Sequence, residues 1–320
     1  MKRFVFPLVV IFGLLIGGCA GTPKEGAPLL NPDSGVNQNF HIYIAFGQSN
    51  MQGPGEIHAQ DKEGVSDRFR ILNVLPDVYN GEDRAAGQWY KAAPPLVIPD
   101  RNEINWLGIK TGLSPADYFG RTLTENTPEH ITIGVIVVAS GDLALAAFDK
   151  ARAPDYYNGA GTVDGRPSAT EKQGMDRYQN AGYANIYDAI IQNAKIAQQT
   201  GVIKGIIVHQ GESGAGFADI NWSDLLKTIY DDMLLDLGLA PNSIPMLLGQ
   251  TWDGGTGRTD NALNSDHRIQ HTIPNAWIIS SQGCTTGRTG PQQPDNTHFG
   301  SEDLREFGTR YGQKMLELNY

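Results

Sequence analysis

Apolar positions along the chain fall into two kinds of run, and the two kinds alternate. The first kind is short and continuous, at residues 40–46, 69–75, 131–138, 202–208, 244–248 and 277–280. Runs of this length, apolar on both parities and rich in β-branched residues, predict strands buried on both faces. The second kind is longer and periodic. Ala116, Phe119 and Leu123 share one face of a helix expected over residues 115–126, with Ser114 as its N-cap and Pro115 in its first turn. Ile186, Ile190, Ala194 and Ala197 mark a helix over 183–199 that Gly201 ends. Leu226, Tyr230, Met233 and Leu237 mark one over 222–237, and Leu304, Phe307, Tyr311, Met315 and Leu318 one over 301–318. A further helix is expected over 261–271. Residues 76–112 and 142–181 carry no sustained period and are expected as irregular connections.

Strand and helix alternating over the whole chain predict an α/β fold, a three-layer α/β/α sandwich around a mostly parallel central sheet. No internal repeat or second core is evident, so residues 39–320 are expected to form one domain. In such sheets, ligands gather beyond the carboxyl ends of the strands. Polar clusters stand at those ends: Gly47-Gln48-Ser49-Asn50-Met51, Ser140-Gly141-Asp142, His209-Gln210-Gly211-Glu212-Ser213-Gly214 and Gly249-Gln250-Thr251.

Residues 1–18 change the picture of compartment. Lys2 and Arg3 precede an apolar run from Phe4 to Ile16, and Gly17-Gly18-Cys19 closes it. That is the build of an export signal. Ile16-Gly17-Gly18-Cys19 resembles a bacterial lipobox, which implies lipidation of Cys19 and contact with a membrane through that anchor only. Ala20 in place of an inner-membrane retention Asp implies the outer membrane. Residues 19–38, rich in Gly, Pro and Asn, are expected to be a flexible tether. With Cys19 lipidated, Cys284 is the remaining thiol and is expected as buried filler. The formal charge of −10 becomes −12 once Lys2 and Arg3 are removed, and without a basic cluster it argues against nucleic-acid binding. Phosphate-loop, zinc-helix and paired-cysteine motifs are missing from the sequence, so no cofactor or metal is expected.

Candidate chemistry centres on Ser49 and His298. A serine just past a strand end is exposed for attack, but its hydroxyl is a weak nucleophile until a base takes the proton. In Asp295-Asn296-Thr297-His298-Phe299 the acid stands three residues before the imidazole, near enough to accept from Nδ1 and leave Nε2 facing a hydroxyl. Gly211-Glu212-Ser213-Gly214-Ala215 looks superficially like a G-x-S-x-G elbow, yet its fifth position is Ala and it would leave Ser49 unexplained.

These blocks, in this order, resemble the SGNH hydrolase superfamily. Within it they are similar to the sialate O-acetylesterase-like group that includes the carbohydrate esterase family 6 acetyl xylan esterases. The resemblance implies a flavodoxin-like fold and a serine hydrolase removing O-acetyl groups from carbohydrate through an acetyl-enzyme intermediate. It implies Ser49 as nucleophile, His298 as base, and an oxyanion hole of the Ser49 and Gly141 backbone N–H groups with the Gln210 side-chain amide. The acid that orients His298 is either Asp295, which has the local spacing, or Glu212 of the His-Gln-Gly-Glu box. Gln48, Asp142 and Gln250 are candidate substrate-binding residues. Three positions depart from the family pattern: Asp142 stands where a second glycine is usual, Gly214 replaces Asn, and Gln250 replaces Glu. The implied partner is an acetylated oligo- or polysaccharide, with sialate O-acetyl esters as the alternative substrate. A non-catalytic glycan-binding lipoprotein on an esterase scaffold is the alternative of another class. Trp89, Trp106, Tyr156 and Tyr157 lie in irregular stretches, where each could stack on a sugar ring or serve as loop core.

Overall fold

The computed structural model describes residues 35–79, 82–97, 111–163, 165–251, 268–284 and 297–319. Seven strands form its central sheet: β1 (Phe40–Gly47), β2 (Phe69–Leu72), β3 (Trp89–Lys91), β4 (Thr132–Ala139), β5 (Val202–His209), β6 (Met246–Gly249) and β7 (Ala276–Ile279). Their order is β7-β6-β5-β1-β4-β2-β3. Every pairing is parallel except that of β2 with the edge strand β3. The α/β class and the parallel sheet expected from the sequence are what the chain adopts.

The period of two along β1 explains the layers. Ile42, Ile44 and Phe46 point into one core, with residues of α4 (Ile186–Gln198) and α5 (Trp222–Asp236). Tyr43 and Ala45 point into the other, with residues of α2 (Pro115–Glu125) and α6 (Ser301–Asn319). A strand buried on both sides has no solvent face to alternate toward, which is why its sequence reads as a continuous apolar run.

Topology then places the site. The chain starts at β1, mid-sheet, builds β2 and β4 on one side, and crosses back to build β5, β6 and β7 on the other. The crevice where the strand order reverses therefore lies at the carboxyl end of β1. Register sharpens this, because Gly47 pairs with Ala139 and also with His209, so β1, β4 and β5 end level. A Cβ on Gly47 would sit 2.0 Å from the His209 carbonyl oxygen, so only glycine lets β5 approach this closely.

Several expected boundaries shift. The 69–75 strand ends at Leu72, and the 244–248 strand is displaced to Met246–Gly249. Of the 261–271 helix, the described part is a short turn at Arg268–Thr272. The stretch expected as irregular at 76–112 carries the edge strand β3, and 142–181 carries the twelve-residue helix α3 (Ala169–Asn180). Helix α3 is mostly polar, burying Glu171, Gly174, Met175 and Tyr178, so apolar periodicity could not show it. Its start was nonetheless written in the sequence: Ser168 and Glu171 form a capping box.

Two candidate sugar-stacking rings prove to be core. Tyr156 is fully buried, and Trp89 packs on Phe40 with ring centroids 4.7 Å apart. Tyr157 bonds Asp176 through its hydroxyl at 2.7 Å and carries the Lys172 ammonium over its ring at 5.4 Å. Cys284 is buried as expected, and burial pushes its thiol up to about 11. Trp106, Asp295 and Cys19 lie outside the described residues, as do most of the signal and tether stretches.

Candidate active site

Ser49 opens α1 (Ser49–Gln52), a single helical turn directly beyond β1. Its Oγ lies 2.7 Å from Nε2 of His298, a residue 249 positions later in the chain. His298 stands three residues before the start of α6, whose Leu304, Phe307, Tyr311 and Met315 are buried against the sheet. The two groups thus meet because β1 and α6 are packed into one core. A hydroxyl at this distance from an imidazole nitrogen is within reach for proton transfer.

Gly141 stands beside them. A Cβ on Gly141 would lie 3.9 Å from Ser49 Cβ and 3.3 Å from Gln52 Oε1. The loop that carries it, 140–146, is bonded at almost every step. Ser140 N–H donates to the Gly47 carbonyl, Leu145 N–H to Gly214 and Ala146 N–H to Ala215. Gln210 Nε2 donates to the Leu143 carbonyl at 2.8 Å, and Arg166 Nη1 to the Asp142 carbonyl at 2.9 Å. Ala144 N–H donates to Glu171 Oε1 at 3.3 Å.

Glu171 is the hub of that support, and sequence reading missed it. Fully buried, it accepts from Arg166 Nη1 at 2.5 Å, from Ser168 N–H at 2.6 Å and from the Tyr156 hydroxyl. Burial and the neighbouring carboxylate push the Tyr156 phenol far above its usual value.

The structure gives Gln210 more work than the sequence suggested. Its amide spans to Leu143 and, at 3.4 Å, to Gln48 Oε1, while its own oxygen accepts from Trp222 Nε1 at 2.7 Å. Gln48 is buried beneath the site and also accepts from Ser213 N–H at 3.3 Å. Gln250 Oε1 accepts from Ser281 N–H at 3.1 Å, tying the ends of β6 and β7. Asp142 is exposed at φ 65°, a left-handed conformation that Asp tolerates better than most residues, and its carboxylate accepts from Ser168 Oγ at 3.2 Å.

Glu212, one of the two candidates for orienting the base, lies beneath Asn50. Its Oε1 accepts from Asn50 Nδ2 at 2.6 Å and stands 3.4 Å from His209 Nε2. Burial raises this carboxyl, but the His209 and Asn50 contacts outweigh it and hold the group below its ordinary value. The His209 ring is itself fully buried, edge-on to Phe299 and Phe307. Among the described residues, no group of three metal-ligating side chains is present.

The chain matches the model of the family "Carbohydrate esterase, sialic acid-specific acetylesterase" over residues 39–317, and it belongs to that family. It is accordingly a carboxylic ester hydrolase of the kind that removes O-acetyl groups from carbohydrate. That answers the alternative of a non-catalytic binding module. Among solved structures, NanS is similar with a TM-score of 0.55 at 15% identity, covering 88% of this chain and 98% of its own. A protein from Arabidopsis thaliana has a TM-score of 0.52 at 16% identity, covering 88% and 99%. A carbohydrate acetylesterase from Xanthomonas citri has a TM-score of 0.52 at 15% identity, covering 87% of this chain and 56% of its own. At these identities the likeness concerns the fold.

Proposed function

We propose that Ser49 and His298 carry out the hydrolysis, on O-acetyl groups of a neutral, xylan-type glycan. The observation that carries the catalytic assignment is the 2.7 Å contact between Ser49 Oγ and His298 Nε2 at the switch point of the sheet. In this scheme His298 takes the Ser49 proton as the hydroxyl attacks the acetyl carbonyl. The tetrahedral oxyanion is met by the N–H groups of Ser49 and Gly141, each such donor being worth ~10²–10³ in rate. The Gln210 amide serves as the third donor by exchanging its 3.4 Å contact with Gln48 for the oxyanion. His298 then protonates the departing sugar oxygen, which leaves as the free hydroxyl; water, giving its proton to His298, attacks the acetyl-enzyme, and acetate leaves as His298 returns the proton to Ser49 Oγ.

The choice of a neutral glycan rests on charge at the mouth. Asp142 exposes a carboxylate next to Gly141, and the nearby Arg166 is bonded to Glu171 and to the Asp142 carbonyl, not offered to an acidic sugar. The second reading, a sialate O-acetyl ester, is favoured by the description of the matching family. The basic start, the apolar run and the lipobox-like Ile16-Gly17-Gly18-Cys19 support the reading of an exported bacterial lipoprotein, anchored through Cys19 at the outer membrane.

The test is acetate release by the purified protein from 4-nitrophenyl acetate, acetylated xylo-oligosaccharide and O-acetylated sialic acid. Ser49→Ala is expected to abolish all turnover, by at least ~10⁴-fold. Unchanged turnover in that variant sinks the assignment. A preference for the sialic ester moves the substrate to the second reading.

A further inference from the structure

Asn50, the residue after the nucleophile, is fully buried and makes three hydrogen bonds. Its Nδ2 donates to the Thr297 carbonyl at 3.1 Å and to Glu212 Oε1 at 2.6 Å. Its Oδ1 accepts from the Phe299 N–H at 3.2 Å. Thr297 and Phe299 are the two neighbours of His298. One amide therefore grips the backbone on both sides of the base, from a helical turn that begins with the nucleophile.

An amide is the side chain this job requires. The segment presents an acceptor at Thr297 and a donor at Phe299, and Asn offers both complements on one rigid plane. A carboxamide can turn over and exchange its oxygen and nitrogen. Glu212 prevents that here, because its oxygen on Nδ2 fixes which end faces Thr297. Glu212 is in turn held by His209 at 3.4 Å, and His209 is packed against Phe299. The ring of contacts closes on the segment that carries the base.

We propose that Asn50 is the positioning residue for His298, and that Glu212 acts on the base by fixing Asn50. This inference rests on Ser49 and His298 being the reacting pair. It gives a buried glutamate of the His-Gln-Gly-Glu box a task that needs no bond to the imidazole.

The experiment combines steady-state turnover of 4-nitrophenyl acetate with amide hydrogen exchange at Phe299, on the full chain. Asn50→Ala lowers kcat by ~10²-fold, the cost of a base misplaced by about 1 Å, with KM changed less than ~3-fold. Exchange at the Phe299 amide accelerates in the same variant, a readout that needs no turnover. Glu212→Ala also lowers kcat, and the Asn50→Ala/Glu212→Ala double variant loses little more than either single, because both act through one contact. Losses that multiply overturn the role given to Glu212. A kcat within ~3-fold of the parent, or unchanged Phe299 exchange, overturns the role given to Asn50. Should Asn50→Ala not fold, Asn50→Asp decides: it keeps the acceptor for the Phe299 N–H, loses the donor to Thr297 and sets a second carboxylate against Glu212, so kcat falls at least ~10-fold. A kcat within ~3-fold of the parent overturns the proposal. Wild-type turnover and its loss in Ser49→Ala report on the underlying assignment separately.

Discussion

Two buried glutamates support this site from opposite sides, and they do so differently. Glu212 lies under the nucleophile and base, with Asn50 and His209 against it. Glu171 lies under the Gly141 loop, with a permanent cation, a phenol and two backbone N–H groups. The first is a small contact set inside the catalytic sequence motif. The second is a knot that joins α3, the short helix Ala153–Asn158 and the loop 140–146. The lesson is that one acid is poised to affect chemistry more than folding, and the other folding more than chemistry.

The largest expected effect breaks the second knot. Glu171→Gln removes the charge that compensates Arg166, whose side chain is only 10% exposed. Removing one partner of a buried ion pair costs ~3–5 kcal/mol. At the size of this chain that is a fall of roughly 5–10 °C in Tm, read by calorimetry. Turnover at 25 °C should fall only ~10-fold, because Gly141 keeps its other loop bonds and loses alignment, not its N–H. Glu212→Gln should show the reverse order: a smaller fall in Tm and a larger fractional fall in kcat. Equal effects from the two variants would erase the distinction.

That asymmetry also explains what was legible beforehand. Ser49, Gly141 and Glu212 stand in compact blocks at strand ends, where a continuous apolar run announces the strand and polar residues announce the ligand side, and His298 stands in a compact block just before the last amphipathic helix. The parallel sheet was readable for the same reason, since β1, β4 and β5 are buried on both faces. Glu171 had no such announcement. It sits on a polar helix whose packing uses a carboxylate, a tyrosine and a glycine in place of an aliphatic stripe. Only the capping-box spacing of Ser168 and Glu171 pointed to it. The edge strand β3 escaped because three residues are too few to show a period. The grip of Asn50 on Thr297 and Phe299 joins residues some 250 positions apart and is a product of topology alone.

A third buried acid sharpens the comparison, because among the described residues no cation bonds it. Asp117 caps α2 by accepting from Ser114 N–H at 3.1 Å, and Ser114 Oγ in turn donates to the Met51 carbonyl of α1 at 2.8 Å. Burial pushes the Asp117 carboxyl up to about 8, with the Ser114 bond and Arg121 pulling weakly the other way. Its folded value is above its unfolded one, so its favourable contribution is full below about pH 4 and is lost as pH rises through 8. Asp117→Asn keeps the acceptor and removes the titration. The variant should gain stability over the parent as pH rises from 5 to 8, by up to ~1.4 kcal/mol per pH unit, compared by urea unfolding. A parent whose stability relative to the variant is flat between those pH values would show that Asp117 is paired after all.

The smallest expected effect concerns Asp142, at the edge of the Glu171 knot, since its carbonyl is held by Arg166 and its carboxylate by Ser168. Asp142→Gly removes a left-handed φ that costs a side chain about 1 kcal/mol, but glycine loses roughly as much through its freedom in the unfolded chain. Stability should stay within ~1 kcal/mol. The charge is the clearer variable. A carboxylate ~8 Å from a developing oxyanion, in solvent, opposes it by ~0.5 kcal/mol, so the glycine variant should turn over 4-nitrophenyl acetate about 2-fold faster at low salt. The gain should fade at 0.5 M salt, where the screening length drops to ~4 Å. On an acetylated oligosaccharide the opposite result, a fall in kcat/KM, is expected if the carboxylate also accepts from a sugar hydroxyl. The two substrates measured side by side therefore separate a residue that merely tolerates its place beside Gly141 from one that selects the glycan.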